Sequence, residues 1–424
     1  MRLQMSLKSI NLYKQLAKEK LFKKSVNFDL RRIKLALKLL DNPERRLKRV
    51  ISILGSDGKY SVLTCLKYFI EANGERTSAY ISPSLKTIRE RFWMGDDWLS
   101  YSEIKKTINI IKRLKVKLTV FEVLTVIFII NAAKRENDFN LIEAGALFAK
   151  DSTNVFDFPL MQIVVNINKQ HLNFVKRKNL SEIIKQKVYY LNNFSKIYIA
   201  KQEINNLKKI KYNLRNNLSK ITYPNEWKIS KKNGYEYKDK NKHIKINNKF
   251  IKSDGLFNNL GMAIRIALDL GIKKQLIEKT IPKIKFEGRL EYLNKGKLKK
   301  KLHKGEKLLV DGCHSQISGK NLSNYLRRLK LPKYGVWSFM QEKEPDIFIK
   351  EFKGVFKKII TLPIKGQKNC VSPKKLKKIA EKQGFVSLTA SSVDETFKIL
   401  SSKEKKVICF FGSLYQAGNI LNKN

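Results

Sequence analysis

One short segment, in which an apolar run leads into a glycine-rich loop and then a helical pattern, constrains the fold most strongly. Val50–Leu54 is apolar apart from one serine, and Gly55–Ser61, with the sequence GSDGKYS, follows it directly. Apolar residues then recur at helical spacing over Val62–Ile70. The next apolar stretch, Thr77–Ile81, predicts a second strand, so we expect a βαβ unit within a parallel sheet.

The chemistry of such a loop points to phosphate. A glycine loop at the start of a helix presents backbone N–H groups to an anion, and a lysine in it can reach the terminal phosphates. Gly55, Gly58 and Lys59 supply these parts. The Walker A pattern, however, has four residues between its glycines and a Ser or Thr after the lysine, whereas this loop has two residues and Tyr60. The loop alone therefore leaves two interpretations open, a phosphate site and an ordinary turn before a helix.

The rest of the chain continues the alternation of strands and helices, which predicts an α/β fold. Around Asn233-Gly234 the alternating pattern of residues 231–249 predicts a hairpin, and Asn259–Leu270 predicts a helix. Further strands are predicted at Asn140–Glu143, Gln162–Ile167, Lys196–Ala200, Leu308–Val310, Gly335–Phe339, Lys358–Leu362 and Lys406–Phe411. Helices are predicted at Leu322–Leu329, Phe348–Phe356 and Pro373–Lys382.

Length and composition predict two domains in a cytoplasmic protein. Because 424 residues exceed what one core usually serves, we divide the chain into residues 1–285 and 286–424, with the boundary near Pro282–Phe286. Met1–Leu16 shows no secretory pattern. Leu118–Ala133 is too short to span a membrane comfortably and contains Glu122, which favours a buried helix. The four cysteines lack paired spacing, which indicates reduced thiols and excludes a cysteine-based zinc site: Cys65, Cys313, Cys370 and Cys409.

A formal charge of +51 raises the question of nucleic-acid binding. The lysines are spread along nearly the whole chain beside abundant Ile and Asn, a pattern that AT-biased coding can produce. The densest run, Lys295–Lys307, alternates with Gly and Leu and is typical of a solvated hairpin. We therefore expect a solvated basic surface, with no specific nucleic-acid partner and no membrane partner.

The glycine loop and later segments together resemble the dihydrofolate synthase/folylpolyglutamate synthase family, relatives of the Mur ligases. Gly55–Ser61 is similar to the family's G-T-N-G-K-G-S loop, and the segment before it, Leu39–Arg45, to the family's lead-in. The other matches follow in the family's order, and the last is typical of the folate branch: Ile81–Leu85 (T-S-P-H-L), Phe121–Thr125 (F-F-E-x-L-T), Glu143–Asn154 (E-x-G-x-G-G-x-x-D-A-T-N), Phe286–Glu291 (W-P-G-R-x-E), Asp311–His314 (D-G-A-H-N-P) and Gly412–Gly418 (G-S-L-Y-x-x-G).

The resemblance covers residues from about 28 to 421 and implies a fold and an activity. The fold would be a P-loop ATPase domain of the Mur ligase type with a mostly parallel sheet, followed by a smaller Rossmann-like α/β domain. The activity would be the ATP-dependent addition of L-glutamate to dihydropteroate, to reduced folates that already carry glutamates, or to both, through an acyl phosphate. ATP and Mg²⁺ are the implied cofactors, and a monomer is the implied state.

The resemblance also implies the residues of a site between the two domains. Catalytic roles fall to Lys59, Lys187 and His314. The nucleotide would contact Gly55, Ser56, Asp57, Gly58, Lys59, Tyr60, Ser61, Asn259, Arg289 and Asp311. Metal ligands would be Ser61, Glu143, His171 and Lys187, the last as a carbamate, in which form the amine becomes an anionic oxygen donor. Substrate contacts would be Ser82, Pro83, Phe121, Asp151, Ser413 and Tyr415.

Several positions depart from the family's pattern. Gly145–Ala149 replaces G-L-G-G-R, so that two glycines become Leu147 and Phe148, and Lys150 is a candidate replacement for the lost arginine charge. The remaining departures are Tyr60 for a glycine in the loop, Ser84 for a histidine, Gln186 for the glutamate before Lys187, Ser315-Gln316 for Asn-Pro, and the H-Q-x-x-N pattern near Gly255–Asn259, of which only Asn259 remains. Two alternatives stay open, a non-catalytic relative that binds folate or nucleotide and a Mur-like amide ligase acting on another acid.

Overall fold

The computed structural model describes residues 28–231 and 234–424. The segment Met1–Leu16, for which we predicted no secretory signal, and Asn233 of the predicted hairpin lie outside the described residues. Within the described ranges, no helix is long and apolar enough to cross a membrane. All four cysteines are free thiols, as predicted.

The first half of the chain is built on a seven-stranded sheet in the order β3-β2-β4-β1-β5-β6-β7. All neighbouring strands are parallel except β3, which pairs antiparallel to β2 at one edge. The carboxyl ends of the parallel strands therefore meet along one edge of the sheet. The bounds are β1 Val50–Leu54, β2 Thr77–Tyr80, β3 Phe92–Met94, β4 Phe139–Glu143, β5 Met161–Val164, β6 Lys196–Ile199 and β7 Ile221–Thr222.

Helices cover both faces of this sheet. The predicted buried helix is confirmed as Val120–Arg135, in which a run of side chains from Glu122 to Ala133 is buried. A capping box between Thr119 and Glu122 begins that helix, and Arg32 forms an ion pair with Glu122 at 2.8 Å. The other α-helices of this half are Leu30–Lys38, Lys59–Ala72, Tyr101–Arg113, Leu180–Val188, Ile204–Asn213, Asp254–Asp269 and Lys274–Thr280.

A small antiparallel sheet, β10-β9-β8, lies between the two large sheets in the chain order. The predicted hairpin corresponds to β8 and β9, but β8 begins earlier, at Trp227, and a third strand follows. The bounds are β8 Trp227–Ser230, β9 Tyr235–Asp239 and β10 His243–Ile246.

The second half carries a six-stranded sheet in the order β11-β12-β16-β13-β14-β15, parallel except for β11. The four strands predicted here are confirmed within a few residues. The strands are β11 Glu291–Tyr292, β12 Lys307–Val310, β13 Lys333–Trp337, β14 Lys358–Thr361, β15 Ser387–Thr389 and β16 Val407–Phe411. The α-helices are Gln316–Arg327, Pro345–Lys350, Pro373–Lys382, Val393–Ile399 and Leu414–Lys423.

Two sequence predictions for this half are wrong in detail. Lys295–Lys307 is not a hairpin, because turns and the short 3₁₀ helix Lys299–Lys301 precede β12, and the buried Leu298 anchors the segment to the apolar core. The helix predicted at Phe348–Phe356 ends at Lys350, and turns continue the chain through Gly354, whose φ is 69°. The short edge strands β3, β7 and β15 were not predicted, since so few residues carry no clear alternation.

The two halves meet where the loop after β2 lies against the last helix. Gly418 approaches this loop so closely that a Cβ there would lie 1.9 Å from the backbone oxygen of Leu85. The contact is reinforced by a Lys86–Glu287 ion pair at 2.6 Å and by the Asn422 side chain, which donates to the Lys86 carbonyl at 3.2 Å. Glycine is therefore required at position 418 for this backbone approach.

The atom that a methyl group at position 418 would meet is the backbone oxygen of Leu85, which cannot rotate away. We therefore expect Gly418→Ala to lower the free energy of unfolding by about 1–3 kcal/mol. Chemical and thermal unfolding measure the loss. Gly319→Ala is the matched control, since it also adds a methyl to a helix of the second half but would meet only the side chains of Phe348 and Phe352. Equal stability of Gly418→Ala and the parent protein would contradict this account of the interface.

Candidate functional site

A cavity of about 1180 Å³ lies between the carboxyl edge of the first sheet and the loops of the second half. Both halves line it. Every site residue named from the sequence lines this cavity except two, Gly55 and Lys187. Residues more than 350 positions apart in the sequence, such as Ser56 and Ser413, are thereby brought to one site.

The loop Gly55–Ser61, here called the phosphate loop, connects β1 to the helix Lys59–Ala72. Gly55 and Gly58 have φ values of 138° and 105°, which non-glycine residues rarely adopt. A Cβ on Gly55 would also lie 2.4 Å from the Val165 side chain. The Lys59 ammonium donates to the carbonyls of Gly55 and Ser56 at 3.3 and 3.1 Å, which holds it over the loop. This geometry favours the phosphate-site interpretation over an ordinary turn.

The helix Asp254–Asp269 supports the phosphate loop from the side. The Asn259 amide donates to the Ser61 hydroxyl at 2.8 Å, and that hydroxyl donates to the Gly58 carbonyl at 2.9 Å. Asn259, the one residue retained from the family's pattern in this segment, thus positions the loop through Ser61.

Glu143 stands at the end of β4, next to β1 in the sheet, and is buried. Its carboxylate accepts from the Ser82 backbone N–H at 3.1 Å and lies 3.9 Å from the Lys59 ammonium. Burial raises the pKa of Glu143, while Lys59 and two nearby arginines, Arg289 and Arg91, act against that rise. The site therefore holds a carboxylate at its centre, surrounded by cations.

Asp57 links the phosphate loop to the second half. Its buried carboxylate accepts from Asn168 at 2.6 Å, from Gln170 at 3.2 Å and from the Ser315 hydroxyl at 2.7 Å. Burial opposes the ionised form, but the hydrogen bond from Ser315 and the nearby His314 hold the pKa of Asp57 below its usual value. Ser315, a departure from the family's pattern, is thus the direct partner of a loop carboxylate.

Lys187 lies beneath the phosphate loop and does not line the cavity. Its ammonium donates to the carbonyls of Gly55 at 2.9 Å and Ala146 at 2.6 Å. Burial, and then the charge of Lys59, lower the pKa of Lys187 to about 7. In this orientation the Lys187 side chain links the phosphate loop to the segment after β4. To act as the predicted metal ligand, the end of the Lys187 side chain would have to turn toward the cavity.

Both histidines of the site have lowered pKa values and are neutral near pH 7. Burial, and then the charge of Lys343, lower the pKa of His171 to about 2, and its ring stacks on Phe174 at 5.8 Å. The same two causes lower the pKa of His314 to about 4. The Nδ1 atom of His314 lies 2.9 Å from the Gly312 carbonyl, which can only accept, so Nδ1 carries the proton and Nε2 keeps a lone pair.

Arg289 and Asp311 bring the second half to the cavity. The Asp311 carboxylate accepts from the backbone N–H groups of Leu290 and Cys313, both at 2.8 Å, which fixes the segment around Arg289. The Arg289 guanidinium lies 5.8 Å from the centre of the Tyr60 ring. Tyr60, which replaces a glycine of the family, thus contacts a cation of the facing half.

Gly145 lies between two of the predicted substrate contacts, Asp151 and Phe121. A Cβ on Gly145 would lie 2.4 Å from the Asp151 carboxylate and 2.9 Å from the Phe121 ring. Asp151 is buried and accepts from the Thr153 hydroxyl at 2.5 Å. Of the other predicted contacts, Ser82 and Pro83 follow β2, while Ser413 and Tyr415 begin the last helix.

The two residues that replace glycines of the family after Gly145 do not enter the cavity. Leu147 and Phe148 are buried in the apolar core beside the helix Leu180–Val188 and are absent from the cavity lining. The suggestion that Lys150 replaces the lost arginine is wrong, because Lys150 is exposed and lies outside this cavity.

Sequence reasoning missed five cations that line the cavity: Lys67, Arg91, Lys201, Lys285 and Lys343. Arg91 precedes β3 and donates to the Ser82 hydroxyl at 3.0 Å. Lys343 follows β13 and acts electrostatically on Asp57 and Lys59. The available signal for Lys343 was its place after a predicted strand of a parallel sheet, where ligand-binding loops concentrate.

No protein-family model matches the chain. In sequence, the chain is similar to the dihydrofolate synthase/folylpolyglutamate synthase of Bacillus subtilis (strain 168), with 27% identity over 155 residues, or 34% of this chain and 36% of that protein. The folylpolyglutamate synthase of Arabidopsis thaliana is 29% identical over 151 residues, or 33% of this chain and 26% of that protein. The matched segments thus span little more than a third of these relatives at most.

Solved structures match over nearly the whole chain. Mycobacterium tuberculosis folylpolyglutamate synthase, complexed with ADP and AMPPCP, has a TM-score of 0.85 at 17% identity and covers 99% of both chains. The chain has the fold of folylpolyglutamate synthases. E. coli FolC in complex with DHPP and ADP gives 0.83 at 17% identity, covering 99% of this chain and 98% of that one. The Yersinia pestis bifunctional enzyme with AMPPNP and Mn also gives 0.83, at 16% identity, covering 99% of both.

The folylpolyglutamate synthase fold confirms the predicted architecture. A mostly parallel sheet with helices on its faces precedes a second, smaller α/β sheet, as the sequence indicated. A fold hosts many activities, so the activity itself must be argued from the site.

Proposed function

We propose that the chain is an ATP-dependent ligase that joins L-glutamate to dihydropteroate, to reduced folates with one or more glutamates, or to both. The observation that carries the proposal is the cavity itself, in which the phosphate loop faces Arg289, Asp311 and His314 of the other half. A nucleotide and an acid substrate need a site with two sides, because the carboxylate of the acid must approach the terminal phosphorus in line with the bond that breaks. The similarity to proteins named folylpolyglutamate synthase supports the choice of substrate.

The first step activates a carboxylate, which is a poor acyl donor. A carboxylate oxygen of the folate-type substrate attacks the terminal phosphorus of ATP, and the bond from that phosphorus to the bridging oxygen of ADP breaks. The protein mainly positions the reactants and offsets charge. In this proposal, Lys59 meets the terminal phosphate and Arg289 meets the phosphates from the second half; both side chains line the cavity.

The second step forms the amide. The glutamate nitrogen attacks the acyl carbon, a C–N bond forms, and phosphate leaves with the electron pair of the C–O bond. The nitrogen also loses a proton, which the departing phosphate can accept. His314, neutral and with a free lone pair on Nε2, can orient the amine by accepting a hydrogen bond from it.

The residues present fit one Mg²⁺ bound together with substrate phosphates. Glu143 supplies a buried carboxylate near Lys59, and Ser61 supplies a hydroxyl in the phosphate loop. Residues 28–231 and 234–424 contain no group of three or more His, Cys, Asp or Glu side chains that could hold a metal ion by themselves. Mg²⁺ needs only one or two carboxylates when phosphates and waters complete its shell. When bound, it would neutralise charge on the phosphates.

For a second Mg²⁺ we keep His171 and a carbamylated Lys187 as the proposed ligands. The neutral ring of His171 can bind a metal through a lone pair. The lowered pKa of Lys187 supports carbamylation, because only the neutral amine reacts with CO₂. A carbamate keeps one N–H, so the modified side chain could donate to only one of the two carbonyls that the ammonium contacts, and its carboxylate would have to turn away from both.

Further parts of the proposal concern the organisation of the protein. We keep residues 1–285 and 286–424 as its two domains, a monomer as its state and the cytoplasm as its location. Among the competing interpretations, a non-catalytic relative is weakened by the packing of Leu147 and Phe148 into the core, since the cavity beside them stays open. A Mur-like ligase for another acid is weakened by the segment Gly412–Gly418.

We expect the purified chain, given ATP, Mg²⁺ and L-glutamate, to release ADP only when dihydropteroate or tetrahydrofolate is added. The mass of the product should increase by one glutamate residue. ADP release with D-alanine or a cell-wall peptide precursor, and not with folates, would favour the Mur-like alternative. Nucleotide binding without ADP release for any acceptor would favour the non-catalytic one.

Lys59→Ala should lower the rate of ADP release at least about 100-fold, because the transferred phosphate loses its main side-chain cation. Lys105→Ala, an exposed lysine on the helix Tyr101–Arg113, is the control for loss of one positive charge. A nearly normal rate for Lys59→Ala would mean that Gly55–Ser61 is only a turn.

If Lys187 is carbamylated, carbon-13 bicarbonate should give a carbamate signal in NMR. The signal should increase from about pH 6 to about pH 8, because the amine, with a pKa lowered to about 7, becomes neutral over this range. Lys187→Ala should abolish the signal and most activity, whereas Lys185→Ala, an exposed lysine on the same helix, should change neither. A signal that does not depend on Lys187 would remove the residue from the metal site.

A further inference from the structure

Three loops at the amino edge of the first sheet, opposite the cavity, expose large apolar side chains. Parallel pairing of β5, β6 and β7 places the amino ends of these strands side by side. Phe158 precedes β5, Phe194 precedes β6 and Leu218 precedes β7. The three residues are 79%, 80% and 80% exposed, respectively. Single exposed apolar residues are common in proteins, but three of them in adjacent loops indicate an interaction surface.

The two phenylalanines lie next to each other in space. Their ring centroids are 6.4 Å apart. The loops that carry them are also joined by a hydrogen bond, in which the Ser195 hydroxyl donates to the Pro159 carbonyl at 2.5 Å. Phe158 and Phe194 therefore form one continuous apolar surface.

Leu218 is held beside this pair by its two neighbours in the chain. The Asn217 amide donates to the Leu191 carbonyl at 3.2 Å. The Ser219 hydroxyl donates to the Asn192 carbonyl at 2.9 Å. Both acceptors belong to the loop before β6, so the loop before β7 lies against it. We call the surface formed by Phe158, Phe194 and Leu218 the apolar edge.

Positive charge accompanies the apolar edge. Residues 157–160, 189–196 and 215–220 contain three exposed cations and one carboxylate: Lys196, Arg215, Lys220 and Asp157. Lysine and arginine are attracted to anionic lipid headgroups, whereas aromatic rings and leucine enter the layer between the headgroups and the acyl chains. The apolar edge has both properties.

We propose that the apolar edge binds the surface of an anionic lipid bilayer. Phe158, Phe194 and Leu218 enter the headgroup layer, and the neighbouring cations contact lipid phosphates. The cavity lies at the other edge of the sheet, so it stays accessible to substrates when the protein is bound. A surface contact of this kind requires no membrane-spanning helix. The inference does not depend on the proposed function.

A second copy of the chain is the competing occupant, because exposed apolar surfaces also drive self-association. In a symmetric dimer the same surface of each copy meets the other, so the cations beside the apolar edge would face one another. Like charges brought together in this way oppose association. The charge of this surface therefore favours an anionic bilayer over a second copy.

The inference differs from the sequence-based expectation of no membrane partner. A continuous apolar run is visible in a sequence, but the three apolar residues of this surface come from separate loops. Their proximity depends on the order of β5, β6 and β7 in the sheet. Spacing along the chain does not predict it.

Co-sedimentation of the full chain with vesicles tests the inference. We expect binding to vesicles of equimolar phosphatidylcholine and phosphatidylglycerol, and much weaker binding to vesicles of phosphatidylcholine alone. Phe158→Ser and Phe194→Ser should each weaken binding at least about tenfold, the order expected for burial of one phenylalanine side chain. Lys196→Ala and Lys220→Ala should each weaken it about fivefold. Added salt should weaken the binding of the parent chain, because it screens these charges.

Val386→Ser is the matched control, because Val386 is exposed before β15 of the second half, and its loss should leave vesicle binding unchanged. Phe194→Trp should keep the binding, and its added fluorescence should shift to shorter wavelength on the vesicles. Circular dichroism checks that each variant is folded. Every variant should keep the ADP release of the parent chain, because none of the substituted residues lines the cavity.

Two results would overturn the inference. Vesicle binding that Phe158→Ser and Phe194→Ser leave unchanged would assign the binding to the overall positive charge of the chain. Absence of binding to the anionic vesicles would also overturn it. In that case, a concentration-dependent dimer that Phe194→Ser abolishes would identify a second copy of the chain as the occupant.

Discussion

The pairing of β1 between β4 and β5 is the constraint on which the site depends. Parallel pairing places the carboxyl ends of these strands at one edge, so the phosphate loop, Glu143 and the segment after β5 emerge side by side. The loop cannot be reshaped independently, because a Cβ on Gly55 would collide with Val165 on the neighbouring chain segment. Backbone hydrogen bonding of the sheet thus sets the distance between the Lys59 cation and the Glu143 carboxylate.

Several cations lie close together around the phosphate loop. The charge of Lys59 contributes to the lowered pKa of Lys187, and the charge of Lys343 contributes to that of both histidines. Cations that depress the pKa of neighbouring cations are held together at a cost in free energy, which a bound polyphosphate would offset. The carboxylate of Asp57 fits this arrangement because three hydrogen bonds hold it toward the junction of the two halves.

The residues that differ from the family's sequence pattern lie in different parts of the structure. Leu147 and Phe148 enter the apolar core and leave the cavity open. Ser315 donates a hydrogen bond to Asp57 of the other half. The Asn321 side chain occupies the space next to Gly255. The effect of a substitution in a motif therefore depends on whether its side chain points into the core, into the cavity or toward the other half. Periodicity alone does not predict this direction for short loops.

The sequence by itself determined the α/β class, most strands and the residues of the phosphate loop, because apolar periodicity and glycine spacing are local signals. Motif order also indicated which distant residues belong to one site. Only the tertiary structure decided that Lys187 lies outside the cavity lining and contacts two carbonyls, that Lys343 lines the cavity, and that Asn321 occupies the space at Gly255. These outcomes depend on how two sheets pack against each other, and side-chain direction across such an interface is not encoded in the spacing of residues along either half.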